Sequence, residues 1–211
     1  MRVGVVLLLV AALGCASHAA SPPARGPAPS PTTRASPSAA KSSALDDMLG
    51  GDLNADHAFA WSAARPLAWS DFQGSPPADG SEGAKTSYTL YSAWKCRGDA
   101  FEFRVIAGFR PRQSWVKAII LNDSTQGRTI LRHEQTHFDL AEVHARRMRR
   151  AFEDLARPCA KTDAELSALA QRLAREEKAE QRRYDAETDH GRLADRQAAW
   201  SRDVARWLGG S

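Results

Sequence analysis

The sequence lacks a lysine- or arginine-rich block beside interleaved aromatic residues, and this argues against nucleic acid as a partner. It also lacks a long apolar stretch after its N-terminus. Only Met1 to Leu13 is apolar enough to engage a membrane, and this run is too short to span one comfortably. With 211 residues, the chain has room for one domain of ordinary size and some appended segments. Its formal net charge of +4 becomes +3 without the first 20 residues, where Arg2 is the one charged side chain. We expect a monomer with a mildly basic, mixed surface.

The N-terminal run is typical of an export signal, because a short positive start is followed by an apolar core. Two endings fit this signal. Ala12-Leu13-Gly14-Cys15 resembles the bacterial lipobox, in which the cysteine is acylated, although the leucine stands one place later than usual. The alternative is ordinary cleavage near Ser17-His18-Ala19-Ala20. Residues 1–20 are therefore predicted to be a signal peptide or lipoprotein signal. The mature protein is predicted to lie in the bacterial cell envelope, periplasmic or secreted, with a lipid at Cys15 as its only membrane contact.

Residues 21–55 are predicted to be a disordered linker, because the stretch up to about Leu45 is rich in Ser, Pro and Ala and has no apolar period. The pattern from Asp46 to Phe59 is ambiguous, and the folded domain is predicted to span residues 56–211. After Cys15 two cysteines remain, Cys96 and Cys159. An even pair in an oxidising compartment predicts a disulfide, with two unrelated buried thiols as the alternative.

Apolar residues alternate with polar ones in two neighbouring runs, from Lys85 to Cys96 and from Ala100 to Phe109. The turn residues Arg97-Gly98-Asp99 between them predict a β-hairpin. The apolar run from Ser114 to Leu121 predicts a third strand of an antiparallel sheet.

The rest of the chain has helical periodicity. One helix is predicted from Arg128 to Leu155, ended by Pro158. Its apolar stripe is predicted to be core: Phe138, Ala141, Ala145, Met148, Phe152 and Leu155. Thr162-Asp163-Ala164-Glu165 is a capping box that begins a second helix, which is predicted to end near Asp189-His190-Gly191. The apolar face of this second helix turns polar in its second half, which suggests that this end faces a site. The alternative, and the commoner case, is a solvated charged surface around Glu180. A third helix, with Leu193, Gln197, Trp200, Val204 and Leu208 on one face, completes the predicted α+β domain.

The first of these helices contains the pattern H-E-x-x-H, with histidines at 133 and 137 and a glutamate at 134. At about 100° per residue, His133 and His137 lie on one face, one turn apart, where both imidazoles can bind one zinc ion. Glu134 lies beside them and can take a proton from a water molecule that zinc has made more acidic. The pattern therefore predicts two metal ligands and a general base of a metalloprotease, although such five-residue patterns also arise by chance.

A catalytic zinc site needs a third protein ligand. Glu142 points about 180° away from His133 on a continuous helix, and His144 lies about 10 Å further along the axis than His137. No glycine between His137 and His144 could bend the helix, so the metzincin pattern is absent. His190 is the predicted third ligand and Asp185 is the alternative, unless this stretch is only a capped helix end with solvated charges. If the ligand is Asp185, His190 and Tyr184 are free to stabilise an oxyanion.

Several spaced segments resemble a bacterial family of unknown function whose members are described as secreted zinc-dependent proteases. The similarity covers roughly residues 60 to 207. It rests on four segments: Trp69-Ser70-Asp71-Phe72-Gln73-Gly74, Ser114-Trp115-Val116, the stretch from His133 to Glu142, and the stretch from Tyr184 to Gly191. The resemblance implies a zincin-like metallopeptidase in which His133 and His137 bind zinc and Glu134 is the base.

Together these features predict a small antiparallel sheet packed against the HExxH helix and two further long helices. The predicted activity is zinc-dependent hydrolysis of peptide bonds, including those of cell-wall peptides, with Glu134 and Tyr184 as catalytic residues. Asp139 or Glu142 is predicted to orient a ligand. The alternative function is a non-catalytic envelope module in which zinc, or no metal, joins two helices.

Overall fold

A computed structural model of the chain describes residues 2–11 and 43–210. Within these ranges, five α-helices and six strands make an α+β fold, as the sequence predicts. In chain order they are β1 (Arg2–Ala11), α1 (Ala44–Ala55), β2 (Phe59–Ala60), β3 (Ala84–Lys85), β4 (Ser87–Arg97), β5 (Ala100–Phe109), β6 (Trp115–Val116), α2 (Ala118–Asn122), α3 (Ser124–Glu153), α4 (Asp163–Thr188) and α5 (Ala194–Gly209). No helix in these ranges is both long and apolar enough to cross a membrane.

The main sheet is antiparallel, with the strand order β1-β4-β5-β2, and β3 and β6 form a separate pair. The predicted hairpin is confirmed: β4 and β5 pair from Tyr88 opposite Phe109 to Arg97 opposite Ala100. Gly98 in the connecting turn has a φ of 59°, a conformation that glycine adopts without strain.

The predicted third strand from Ser114 to Leu121 is confirmed over two residues only, and these pair with β3 instead of joining the hairpin sheet. Two residues of this run form β6, and the rest begins the short helix α2. A short apolar run without clear alternation fits a strand and a buried helical turn equally well, so periodicity alone could not separate the two.

The structure describes the start of the predicted export signal and the end of the predicted linker. The apolar segment of the predicted export signal, Arg2–Ala11, is an edge strand antiparallel to β4. Cys15 and the Pro-rich residues up to 42 lie outside the described ranges. Residues 44–55, at the end of the predicted linker, form α1, so the folded part begins before the predicted boundary at residue 56. Ser43 caps α1, and the helix buries three leucines against β4.

The long helix α3 is the centre of the fold. Its N-terminus is capped by Asp123, whose carboxylate accepts hydrogen bonds from the backbone N–H groups of Thr125 and Gln126. The ring of Phe152 stacks on that of Phe103 in β5 with 3.9 Å between centroids, and full burial of one such ring contributes about 1.5–3 kcal/mol. Five residues of the predicted core stripe are buried against the sheet: Phe138, Ala141, Ala145, Met148 and Phe152. The sixth, Leu155, lies beyond the end of α3 and is half-buried.

Helix α4 packs beside α3, and its buried face changes from apolar to polar along the helix. Thr162 and Glu165 form the predicted capping box. The first half of the buried face is apolar, and the second half is polar, as the sequence predicts. The buried residues are, in order, Leu166, Ala170, Ala174, Glu177, Gln181, Tyr184, Asp185 and Thr188.

Two further contacts fix the helices relative to the sheet and to one another. The predicted disulfide is confirmed: Cys96 at the end of β4 bonds to Cys159 between α3 and α4, with 5.7 Å between the Cα atoms. Helix α5 packs Trp200 and Val204 against Tyr184 and the middle of α3. The polar half of α4 is therefore enclosed between α3, α5 and the start of β4.

Candidate metal centre

The pairing of α3 and α4 brings three metal-binding side chains to one point. His133 and His137 lie one turn apart on α3, with 3.0 Å between their Nε2 atoms. Asp185 reaches them from α4, and its Oδ1 lies 3.1 Å from Nε2 of His133 and 2.9 Å from Nε2 of His137. Both histidines are fully buried, and Asp185 is only 4% exposed. These three form the metal-capable cluster of the described residues.

Gln181 determines which nitrogen of His137 carries hydrogen. Its Nε2 donates to the backbone oxygen of His137 at 3.0 Å and to Oε1 of Glu177 at 2.9 Å. Oε1 of Glu177 also accepts a hydrogen bond from the hydroxyl of Tyr88, so a flipped amide would place oxygen against two acceptors. Oε1 of Gln181 therefore faces Nδ1 of His137, 2.6 Å away, and Nδ1 must be the donor.

Gln197 on α5 has the same role at His133. Its Oε1 accepts from the hydroxyl of Tyr184 at 2.7 Å and lies 3.1 Å from Nδ1 of His133. Its Nε2 donates to the hydroxyl oxygens of Ser201 and Thr136, and Thr136 itself donates to a backbone oxygen. Since both Nδ1 atoms are occupied as donors, both Nε2 atoms turn towards Asp185.

This arrangement fits a cation. With Nδ1 protonated on both rings, the two Nε2 lone pairs and the Asp185 carboxylate are three acceptors facing one point. Such a buried group needs a positive charge at its centre. Two imidazoles and a carboxylate suit Zn²⁺ and other first-row divalent ions.

In the metal-free chain, a proton supplies part of that charge. Burial alone would lower the pKa of His137, but the carboxylate of Asp185 outweighs burial and raises this pKa to about 9. For His133 burial dominates and lowers the pKa. Burial would raise the pKa of Asp185, yet the two imidazoles hold it well below its usual range. Besides the two Nδ1 hydrogens, the cluster thus holds one further proton among the two rings and the carboxylate at neutral pH.

Glu134 lies next to this cluster and is 1% exposed. Neither oxygen of its carboxyl group has a hydrogen-bond partner in the described chain. Its backbone oxygen accepts from the hydroxyl of Thr86, which ties α3 to the start of β4. A buried carboxyl group without partners is costly unless a ligand completes it, so a water molecule or a bound group belongs beside Glu134.

The other predicted site residues lie around the cluster. His190 is outside it: its Nδ1 lies 3.7 Å from Oδ1 of Asp185, and its side chain is 34% exposed. The structure thus brings the alternative third ligand, Asp185, to the two histidines. Tyr184 is fully buried, its ring stacks on His133 at 4.6 Å, and its hydroxyl is bonded to Gln197.

The turn that carries His190 has an uncommon backbone. Asp189, His190 and Gly191 have φ values of 48°, 54° and 81°. A Cβ atom on Gly191 would lie 3.1 Å from three atoms of His133, so this turn passes close to the first histidine. Non-glycine residues at positive φ cost energy and recur at functional sites.

The predicted orienting roles of Asp139 and Glu142 are wrong. Asp139 accepts hydrogen bonds from Trp61 and Gln135, and Glu142 pairs with two arginines of α3. Both carboxylates point away from the cluster, because they lie on other faces of the helix. The side chains that contact the Nδ1 atoms are Gln181 and Gln197, on the buried faces of α4 and α5. The feature of the sequence that could have identified them is a glutamine on the buried face of a helix.

Comparison with protein families gives a match over part of the chain. A family model described as bacterial protein of unknown function (DUF922) matches residues 112–191. The matched region runs from just before β6 to the turn after α4, so it includes His133, Glu134, His137 and Asp185. No curated protein and no solved structure matches the chain. The match covers less than half of the chain and gives no activity.

Proposed function

We propose that the protein is a zinc-dependent hydrolase that cleaves peptide bonds, including those of cell-wall peptides. The observation that carries this proposal is the pair of unpartnered, buried carboxyl oxygens of Glu134 beside two imidazoles and a carboxylate. A metal ion that only linked two helices would not need the carboxyl group of Glu134, whereas hydrolysis requires a base at this position.

His133, His137 and Asp185 would hold the ion. When bound, zinc polarises a carbonyl group and makes a water molecule acidic. Glu134 would take a proton from the attacking water and pass it to the amine nitrogen, so that a C–O bond forms and the amine leaves as the C–N bond breaks. The burial of all four side chains excludes bulk solvent and strengthens each electrostatic interaction.

Asp185 is assigned here as the third ligand in place of His190, because its oxygen lies within 3.1 Å of both Nε2 atoms. His190 stands at the exposed side of the cluster, and we assign it to stabilise the oxyanion that forms from the substrate carbonyl. Tyr184 is assigned a positioning role in place of catalysis, since its hydroxyl is bonded to Gln197.

The proposed location is the bacterial cell envelope, periplasmic or secreted. The apolar N-terminal run supports export, and the Cys96–Cys159 disulfide is typical of an oxidising compartment. Acylation of Cys15 would make the protein lipid-anchored.

The burial of the donors favours a second function. With both histidines at 0% and Asp185 at 4% exposure, the ion could serve as a structural link between α3 and α4 in a non-catalytic envelope module. Removing a structural zinc unfolds such a domain, whereas removing a catalytic zinc only abolishes activity. Circular dichroism before and after chelation separates the two functions.

The decisive variant is Glu134→Gln. It keeps the size of the side chain and removes the base, so we expect hydrolysis of a quenched-fluorescence peptide library to fall by about 10²–10⁴-fold while zinc per protein stays near that of the wild type. Glu142→Gln on the same helix is the matched control and should keep its activity. Undiminished hydrolysis in Glu134→Gln, or wild-type protein that binds zinc without cleaving any library, contradicts the hydrolase.

A further inference from the structure

We infer that Gln181 and Gln197 are positioning residues that hold the two metal-binding imidazoles through neutral amide oxygens. The inference rests on the metal site of the proposed function and extends it to side chains that do not touch the ion. Both glutamines are buried, at 4% and 3% exposure. Each accepts a hydrogen bond from the Nδ1 atom of one histidine.

Each amide is itself fixed, which is what allows it to fix a ring. Gln181 bridges the side chain and the backbone oxygen of the same residue, His137, so it clamps both the ring and the helix turn that carries it. Its remaining N–H is held by Glu177, a carboxyl group whose pKa is raised by burial. Tyr88 donates to that carboxyl from β4, so the support for His137 reaches the sheet.

Gln197 is held from another direction. The Tyr184 hydroxyl bonds to its Oε1, while the Tyr184 ring stacks on His133, the histidine that this glutamine orients. Helix α5 therefore takes part in the site although it supplies no ligand. The two rings are supported by different helices, and this predicts that their supports can be removed one at a time.

An amide oxygen differs from the carboxylate that often supports a metal-binding histidine, because it adds no charge. Among the three proposed ligands and the two glutamines, Asp185 is then the only anionic side chain. The acceptor oxygen, and not the charge, is what each ring requires. A glutamate at 197 should therefore still serve, since Thr136 and Ser201 have hydroxyl groups that can turn to donate to it.

The experiment measures zinc affinity by competition with a coloured chelator, together with the visible absorption of the Co²⁺-loaded protein. Gln181→Leu and Gln197→Leu should each weaken zinc binding by about 10–100-fold and shift the Co²⁺ bands. Gln197→Glu should bind zinc at least as tightly as the wild type. Gln135→Leu is the matched control: this α3 glutamine bonds to Leu67 and Asp139, away from the cluster, so its loss should change affinity less than threefold.

The outcomes separate this inference from the hydrolase. If wild type binds zinc but the two leucine variants match Gln135→Leu, or if Gln197→Glu binds as weakly as Gln197→Leu, the positioning role is overturned and the hydrolase is untouched. If the variants weaken zinc binding as expected while wild type cleaves no peptide, the positioning role stands and the hydrolase fails.

Should a leucine variant not fold, Tyr184→Phe removes one bond to Gln197 and keeps the packing. It should weaken zinc by several-fold, and an unchanged affinity counts against the inference.

Discussion

Two histidine–carboxylate pairs join α3 to α4, and only one of them has the makings of a metal site. Asp185 meets the paired rings of His133 and His137, whereas Glu180 meets the single ring of His144 at 2.7 Å. Glu180 also binds two arginines, Arg147 and Arg183. The partners of Asp185 in the described chain are imidazoles.

The difference lies in where the positive charge comes from. An arginine is always protonated, so the carboxylate of Glu180 is neutralised by the protein itself. An imidazole can be neutral, so the carboxylate of Asp185 is left for a proton or a metal ion. A buried carboxylate surrounded by imidazoles, without a permanent cation, is therefore the feature that distinguishes a candidate metal centre from a structural ion pair on the same two helices.

The largest expected effect is the loss of metal binding in Asp185→Asn, which keeps the shape of the side chain and removes its charge. We expect zinc affinity to fall by at least about 100-fold, since a catalytic site needs three protein ligands. Glu180→Gln makes the same change in the other pair and should alter affinity less than threefold. Equal losses in the two variants would show that the pairs do not differ as described here.

The next effect is a dependence of zinc affinity on pH. The pKa of His137 is raised to about 9, so below that value the metal-free cluster holds a proton that zinc must displace. The affinity should rise about tenfold per pH unit between pH 6.5 and 8. Calorimetry in two buffers of different ionisation enthalpy should show about one proton released per zinc. Release of no proton would contradict the protonated state of His137.

The raised pKa of His137 also predicts how the stability of the metal-free protein changes with pH. The folded value lies above the ordinary value of 6.5, so this group stabilises the metal-free protein fully below pH 6.5. The contribution is lost as the pH rises through about 9. Metal-loaded protein should lack this slope, because the metal has replaced the proton.

Much of the fold could be predicted from the sequence because its apolar residues recur with clear helical or strand periodicity. The core stripe of α3, the capping box of α4 and the β4–β5 hairpin are local patterns, and each is found where it is predicted. The run from Ser114 to Leu121 is too short for a period, and only its pairing with β3 and its contacts with α3 decide its conformation. Helix α1 is stabilised by leucines that pack on β4, a tertiary contact that its own pattern does not reveal.

The third ligand could have been chosen by helical spacing. Glu177, Gln181 and Asp185 follow one another at intervals of four on the buried face of α4, so Asp185 extends a line that already faces α3. His190 comes after the helix end, in a turn of positive φ. The orienting glutamines could not be assigned to particular histidines, because the direction in which α5 packs is not written in any local pattern.

The smallest effect concerns the arginine-paired carboxylate of Glu180. Hydrogen bonds from His144 and Arg147 outweigh burial and lower its pKa to about 2. This folded value lies below the ordinary value of 4.5, so the contribution to stability is fully present above pH 4.5 and is lost as the pH falls towards 2. Because the group is partly screened by solvent, we expect Glu180→Gln to lower the free energy of unfolding at pH 7 by about 1 kcal/mol. It should also flatten the acid limb of the stability curve, measured by urea unfolding between pH 2.5 and 7.

Glu176→Gln, in an exposed pair with Arg172, is the control and should leave that limb unchanged. A full acid limb in Glu180→Gln would mean that other carboxylates carry the acid sensitivity, and that the arginine-paired site contributes as little to stability as a surface ion pair.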